Sequence, residues 1–371
     1  MSPPVVDRTM DPRVEDHAEI IVDHSVSVEQ GDEVIVRAPD AAEDLLVALY
    51  EKLGERGAKP VRMSQSGRAN RAYMHAMDPE DFELAEHALA AVEEADVAIM
   101  VSASRNTHET GDVPPEKNAA MGKVQKPIQE AMMEKRWVGT QYPAPGNAQD
   151  AEMSTDAYEE FVWSAINKDW EEQREFQEHM VEILDPADEV RIVSGEGTDV
   201  TMSVDGMITA NDYAEKNLPG GEVYTAPVPD SVEGEVHFDM PLMAQGREVE
   251  DVHLTFEDGE VVEFAAEKNE EVLAAVLETD EGASRLGELG IGMNRDIDRF
   301  TDNTLFDEKM GDTVHMALGR AYEWTVGEDR ERNDSAVHMD MIVDMSEDSR
   351  IEVDGEVVQR DGTFVFEEFE E

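Results

Sequence analysis

The sequence predicts an α/β domain with a mainly parallel sheet, followed by an α+β domain with a largely antiparallel sheet. Three observations predict this fold class: a length of 371 residues, an alternation of helical and strand patterns up to about Pro186, and short alternating segments after it. We therefore expect one domain over residues 1–186 and a second over residues 187–371.

The first half alternates between helical periodicity and short apolar strands. Helices are predicted over residues 13–29, 41–54, 79–94, 117–135 and about 154–184. The strands predicted between them are residues 32–37, 60–63, 95–102 and 136–141. Parallel strands need a crossover of a dozen or more residues, usually a helix, so this alternation indicates a parallel sheet.

The second half is rich in short strands. Alternating patterns predict strands at residues 190–194, 199–204, 235–239, 253–257 and 261–265, and one helix at 269–277. Asp258-Gly259 separates the last two strands and is typical of a tight hairpin turn. Strands joined by such turns pair antiparallel, which explains the fold predicted for this half.

The charge is unusual: 88 acidic residues face 30 basic ones, for a formal net charge of −58, and only 10 of the basic residues are lysines. Apolar residues make up 40% of the chain and recur periodically, which argues against a disordered acidic protein. No basic stripe is present, so a nucleic-acid partner is not expected. Repulsion among this many acidic side chains requires screening by salt, and we interpret the acidic composition as halophilic adaptation. The rival interpretation, a cation-binding or charge-steering surface, loses most of its steering in the same salt.

Cysteine is absent, which excludes disulfides, thiolate metal ligands and a cysteine nucleophile. The sequence has no apolar run of about 18 residues, and residues 1–16 carry charge and proline where a signal peptide has an apolar core. We expect a cytoplasmic protein without a membrane partner.

Two segments place histidine next to acidic residues. In residues 335–341, SAVHMDM, strand alternation puts His338 and Asp340 on one face, where imidazole and carboxylate suit zinc, cobalt or manganese. Residues 304–322, TLFDEKMGDTVHMALGRAY, contain Glu308 before a predicted turn, His315 in an apolar stretch, and Tyr322. Each segment alone is also explained by a solvated strand face or a hydrogen-bonded core histidine.

Two further segments surround one glutamate with glycines: Glu222 in NLPGGEVYTAP, residues 217–227, and Glu288 in LGELGIGMN, residues 286–294. Glycine permits close backbone approach to whatever the acid binds. The plain alternative is a pair of glycine-rich turns that carry surface acids. The chain has no HExxH helix, P-loop, GxSxG elbow or dinucleotide fingerprint.

Taken together, these four segments resemble the thermophilic-type metalloaminopeptidases, the family of aminopeptidase T and aminopeptidase S. Their order and approximate spacing match, and weaker similarity extends to residues 136–154 and 66–73. By position, the resemblance implies metal ligands at Glu222, Glu288, Glu308, His315, His338 and Asp340, with Tyr322 as the active-site tyrosine. It also implies a homodimer and peptide substrates with a free N-terminus.

Six such ligands exceed the needs of one tetrahedral ion and suit two divalent ions, zinc, cobalt or manganese, which share a bridging carboxylate and activate water. Glu288 or Asp340 is the candidate bridge, and Glu222 or Glu308 the candidate general base. Tyr322 is expected to donate a hydrogen bond to the tetrahedral intermediate. Two alternatives stay open: another two-metal amidohydrolase acting on non-peptide amides, and a non-enzymatic binding protein.

Overall fold

A computed structural model describes residues 10–244 and 247–367, apart from the side chain of Met243. The chain divides into two compact units. Unit one contains the described residues up to Lys168 together with Ala214–Pro219, and unit two contains Asp169–Tyr213 and the described residues from Gly220 onward. Residue 186, where the sequence pattern changes, lies within unit two, between a helix that ends at Leu184 and a strand that begins at Glu189.

The α-helices of the described residues, in chain order, are α1 (Pro12–Glu19), α2 (Glu43–Arg56), α3 (Gly67–Ala76), α4 (Glu86–Glu93), α5 (Pro115–Met133), α6 (Pro145–Asp150), α7 (Thr155–Ile166), α8 (Trp170–Leu184), α9 (Glu270–Leu277) and α10 (Thr304–Asp307). A π-helical turn, Ile20–Ser25, follows α1. Within the part of the chain that the structure describes, no helix combines the length and the apolar composition that a bilayer crossing requires.

The strands of the described residues are β1 (Glu33–Pro39), β2 (Lys59–Gln65), β3 (Val97–Ser102), β4 (Arg136–Gln141), β5 (Glu189–Ser194), β6 (Thr198–Ser203), β7 (Ala210–Asp212), β8 (Asn217–Leu218), β9 (Glu222–Thr225), β10 (Glu233–Phe238), β11 (Leu242–Ala244), β12 (Arg247–Val249), β13 (Val252–Glu257), β14 (Glu260–Ala265), β15 (Leu286–Gly292), β16 (Thr313–Gly319), β17 (His338–Asp344), β18 (Ser349–Val353), β19 (Glu356–Arg360) and β20 (Thr363–Phe364).

Unit one is built on a parallel sheet in the order β2-β1-β3-β4-β8. Every neighbouring pair in this sheet is parallel. The apolar runs at residues 34–36 of β1 and 97–101 of β3 are buried or half-buried, as expected for parallel strands covered on both faces. The predicted α/β fold with a mainly parallel sheet is confirmed.

Unit two is built on two antiparallel sheets and a small hairpin of β11 and β12. One sheet has the order β14-β13-β10-β6-β5-β18-β19-β20, and the other has the order β17-β16-β15-β9-β7. One apolar core contains side chains from both sheets, among them Val200, Phe256, Leu289 and Met341. Asp258 and Gly259 both adopt left-handed φ values, as the predicted hairpin turn requires. The predicted antiparallel fold of this half is confirmed.

Several predicted helix boundaries were wrong. The helix predicted over residues 13–29 changes to a π-helical turn after Glu19 and ends at Ser25. The stretch 154–184 is two helices, because the chain breaks after Ile166 and Asp169 starts α8 by accepting hydrogen bonds from the backbone of Glu171 and Glu172. Helices α3 and α6, which are short and start in polar, glycine-containing sequence, were missed.

A buried histidine links α1 to the sheet of unit one. Thr140 Oγ1 donates to the carbonyl oxygen of Leu218 at 2.8 Å, so it accepts from His17 Nε2, also at 2.8 Å. His17 is fully buried against the edge of Trp163, and its Nδ1 has no hydrogen-bond partner among the described residues. A proton on Nδ1 would be buried without an acceptor, and burial accordingly lowers the pKa of His17 to about 3.

This burial predicts an acid-sensitive contribution to stability. Since His17 titrates at about 3 in the folded chain and at about 6.5 when unfolded, its contribution is complete above pH 6.5 and is lost as the pH falls towards 3. The loss is about 1.4 kcal/mol per pH unit in that window. In urea unfolding, His17→Gln is expected to remove this part of the pH dependence, whereas His87→Gln, at an exposed site of α4, leaves it. If the free energy of unfolding depended on pH in the same way in wild type and His17→Gln, the low pKa assigned to His17 would be contradicted.

Candidate metal centre

The five-stranded antiparallel sheet of unit two carries most of the predicted site. The residues that it holds on four neighbouring strands are Glu222 on β9, Glu288 on β15, His315 on β16, and His338 and Asp340 on β17. Adjacent strands lie about 4.8 Å apart, so side chains on one face of neighbouring strands come within contact distance. The glycine-rich segment around Glu288 is therefore a fully buried central strand, and the alternative that it is a surface turn was wrong.

A glycine makes room for His315 to reach across the sheet. Gly290 lies opposite His315 in the β15–β16 register, and a Cβ atom at Gly290 would overlap the imidazole ring. Over this glycine, His315 Nε2 lies 3.2 Å from Glu222 Oε2 and 3.3 Å from Glu288 Oε1. The fully buried ring thus joins acids from β9 and β15. Gly290, two residues after Glu288, is required by this close approach and not by a turn.

Glu308 reaches the cluster from the end of α10. This short helix is fixed by Asp307, which accepts hydrogen bonds from the backbone and hydroxyl of Thr301 and from the backbone of Asn303. Glu308 pairs with Lys309, and Lys309 Nζ also lies 3.2 Å from Glu222 Oε1. Lys309 therefore ties together two of the predicted ligands.

Lys309 is the residue that sequence reasoning missed. Its side chain is completely buried, which is rare for lysine and requires paired acids. It follows Glu308 within the segment TLFDEKMGDTVHMALGRAY. In a chain with only 10 lysines, one next to a predicted ligand was the available signal, but a lone lysine is almost always solvated.

On β17, the backbone orients His338. His338 Nδ1 donates to the carbonyl oxygen of Arg320 at 2.9 Å, so the neutral ring carries its lone pair on Nε2. That Nε2 lies 3.6 Å from Asp340 Oδ1 and 3.5 Å from the hydroxyl of Tyr322. Asp340 in turn offers a carboxylate oxygen within 4.8 Å of ligand atoms of Glu288 and His315. All seven predicted site residues are thus joined, through Lys309, by one continuous series of short contacts.

The cluster leaves buried lone pairs without donors. Among the described residues, none donates a hydrogen bond to Glu222 Oε2, Glu288 Oε2 or Asp340 Oδ1, although all three atoms are buried. The approach of His315 Nε2 to Glu222 Oε2 at 3.2 Å is an ion pair without hydrogen-bond geometry. Each such atom costs about 1–3 kcal/mol if nothing binds it. Carboxylate oxygens and imidazole nitrogens are ligands of borderline divalent cations. The residues present therefore fit divalent metal ions.

Burial and mutual charge shift the proton affinities of these groups. Burial raises the pKa of Glu222 to about 8, against the opposing charges of Lys309 and His315, and burial likewise raises the pKa of Glu288. For His315, burial lowers the pKa, but the hydrogen bond to Glu288 and the charge of Glu222 outweigh it and bring the pKa to about 9. The cluster without other cations therefore retains protons, and metal binding would release them.

Aromatic rings line one side of the cluster. Tyr322 stacks on Trp324 with ring centroids 4.5 Å apart, and it meets Tyr224 edge-on at 6.4 Å. Trp324 Nε1 donates to the hydroxyl of Tyr224 at 2.9 Å, which fixes the indole although 43% of Trp324 is exposed. Burial raises the pKa of Tyr322 above its usual range, so its hydroxyl stays protonated and available as a donor.

The chain is similar to known proteins along almost its whole length. A profile of the thermophilic metalloprotease (M29) family matches residues 10–368. The chain is 31% identical to aminopeptidase T of Thermus thermophilus, over 93% of this chain and 94% of the relative. It is 28% identical to aminopeptidase 2 of Geobacillus stearothermophilus, over 95% of this chain and 97% of the relative.

The fold agrees with these matches. The solved structure of wild-type AmpT from Thermus thermophilus is similar with a TM-score of 0.86 at 28% sequence identity, covering 95% of this chain and 99% of that one. The resemblance drawn from four motifs is thereby confirmed, and so is the prediction of an enzyme of the metallopeptidase class. The chain belongs to the thermophilic metalloprotease (M29) family.

Proposed function

We propose that this chain is a metal-dependent aminopeptidase that removes N-terminal residues from peptides. The ligands proposed for two divalent ions, zinc, cobalt or manganese, are Glu222, Glu288, Glu308, His315, His338 and Asp340. The observation that carries this proposal is the set of buried, donor-free carboxylate oxygens around His315. Divalent cations would satisfy these oxygens, to which the described residues donate no hydrogen bond.

Lys309 supports this use of the carboxylates. It holds Glu222 Oε1 and one oxygen of Glu308, so that Glu222 Oε2, on the His315 side, is left to bind an ion. Burial lowers the pKa of Lys309, but the charges of Glu222 and Glu308 outweigh this and raise it well above its usual value. Lys309 therefore stays cationic and positions the acids.

Divalent ions bound here would lower the pKa of a water molecule and polarise the scissile carbonyl. The chain's own residues supply the remaining steps. Glu222 or Glu308 would take a proton from the attacking water and deliver it to the leaving amine. The protonated hydroxyl of Tyr322, 3.5 Å from His338 Nε2, would donate a hydrogen bond to the developing oxyanion. An acidic side chain of the cluster would bind the free α-amine of the substrate.

The oligomeric state, the location and the salt adaptation are also proposals. From the family resemblance we infer a homodimer, and from a sequence that lacks an apolar run of about 18 residues we infer a cytoplasmic location. From the charge we infer a salt-adapted cell, because 58 acidic residues would remain unpaired even if every basic residue paired with one acid. The Debye length falls to about 3 Å at 1 M salt, which suppresses repulsion among such acids.

Hydrolysis of leucine-p-nitroanilide tests the activity. Chelator-treated protein in molar KCl is expected to be inactive and to regain activity with zinc, cobalt or manganese, because the ions would activate the attacking water and polarise the scissile carbonyl. N-acetyl-leucine-p-nitroanilide, which lacks the free amine, is expected to resist cleavage. Cleavage of both substrates would instead favour a broader amidohydrolase, and a folded, metal-loaded protein without activity would favour a binding role.

Gly290→Ala tests the geometry without removing a ligand. The added methyl group overlaps the His315 ring and must displace it, so metal affinity is expected to fall roughly 10–100-fold, as when a supporting residue of a metal site is lost. Gly122→Ala is the matched control, since Gly122 is exposed in α5 with open space around it. Equal metal affinity in wild type and Gly290→Ala, with circular dichroism showing folded protein, would refute the placement of His315.

Thermal unfolding at different KCl concentrations tests the salt adaptation. Lowering KCl from about 2 M to about 0.1 M lengthens the Debye length to about 10 Å and strengthens repulsion among surface acids. The Tm is therefore expected to fall, whereas replacing part of the KCl with sucrose at low ionic strength should recover little of it. An unchanged or higher Tm at low salt would contradict the proposal.

A further inference from the structure

A second group of metal-ligand side chains lies on the eight-stranded sheet of unit two. His237 on β10 and His253 on β13 are direct cross-strand partners. Their imidazole rings are parallel within 1°, with centroids 4.1 Å apart. The two rings therefore stand side by side on one face of the sheet.

Both rings present the same nitrogen to one carboxylate. His237 Nε2 lies 2.6 Å from Asp251 Oδ1, and His253 Nε2 lies 3.7 Å from Asp251 Oδ2. Asp251 precedes β13 and has a left-handed φ of 56°, which brings its side chain back over the pair. Ligand atoms of all three residues lie within 4.8 Å of one another.

These three ligand atoms favour a transition-metal ion over a hard cation. Two imidazole nitrogens and one carboxylate oxygen are a common protein ligand set for zinc, with bond lengths of about 2.0–2.2 Å. Ligand atoms of one ion are then about 3.5 Å apart. The two rings must also tilt out of their parallel stack so that both Nε2 lone pairs point at the ion, and rotation about χ1 and χ2 of these partly exposed side chains permits this. Hard ions such as Mg²⁺ and K⁺ prefer oxygen ligands alone, so nitrogen donors favour a transition metal.

The plain alternative is a hydrogen-bonded histidine–aspartate pair with a second ring stacked on it. The chain provides such a pair for comparison: His75 Nε2 lies 3.5 Å from Asp112, and Arg71 neutralises the same carboxylate. In the described part of the chain, no lysine or arginine forms an ion pair with Asp251. A hydrogen bond requires only one ring to face the carboxylate, and here two do.

We propose that His237, Asp251 and His253 form a separate binding site for a divalent transition-metal ion, with Zn²⁺ as the expected occupant. The ion would link β10 to β13 and to the residue that precedes β13. None of the three residues belongs to the proposed active centre, whose strands form the five-stranded sheet. The remaining coordination positions face solvent and take water.

Equilibrium dialysis of the full chain against micromolar ⁶⁵Zn²⁺ tests this site. Chelator-treated protein is used in molar KCl with millimolar Mg²⁺, which occupies sites built from oxygen alone. The variants are His253→Gln and Asp251→Asn; asparagine retains the shape and tolerates the left-handed backbone. His75→Gln is the matched control, because it removes a histidine from a pair that lacks the second ring.

Wild type and His75→Gln are expected to bind one more zinc equivalent than either His253→Gln or Asp251→Asn. Hydrolysis of leucine-p-nitroanilide should stay within twofold of wild type in all variants, and the zinc difference is readable even if no hydrolysis occurs. Equal zinc binding by wild type and His253→Gln would overturn the site. A loss of zinc in His75→Gln equal to that in His253→Gln would also overturn it, since binding would then be non-specific.

Discussion

The burial of several carboxylates in one sheet is the constraint on which the rest of this structure depends. Glu222 and Glu288 are buried beside the fully buried His315, and Glu308 meets Glu222 at Lys309. Removing charges from water costs several kcal/mol per ion unless opposite charges compensate. Lys309 and a protonated His315 supply part of that compensation, and the remaining donor-free oxygens account for the need for divalent cations.

The sheet is built to permit this concentration of charge. Because Gly290 has no side chain, His315 can reach across β15. Gly221, which precedes Glu222 and has a φ of 116°, brings the backbone close to Asn294. Glycine within a strand weakens it, because the strand loses side-chain packing. The apolar core shared by both sheets of unit two offsets that loss, so the site is held by rigid strands.

The sequence predicted the fold class well because the strand and helix periodicities are strong. It failed where local signals conflict: the glycines of β15 were equally compatible with a turn, and only the neighbouring strands reveal that they admit His315. Considered one at a time, Glu222 and Glu288 could not be distinguished from solvated surface acids. Only the order of the four motifs assigned them to one site. Lys309 was missed because burial of a lysine depends on tertiary partners that no local pattern encodes.

The central claim is that this one buried cluster binds the metal ions of a peptidase. Anomalous diffraction at the zinc absorption edge, from crystals of zinc-loaded protein, tests it most directly. Two anomalous peaks are expected among the six proposed ligands, with Glu222 Oε2, Glu288 Oε2 and Asp340 Oδ1 turned towards them. Absence of any peak in the cluster, with His315 still paired to Glu222 and Glu288, would contradict it.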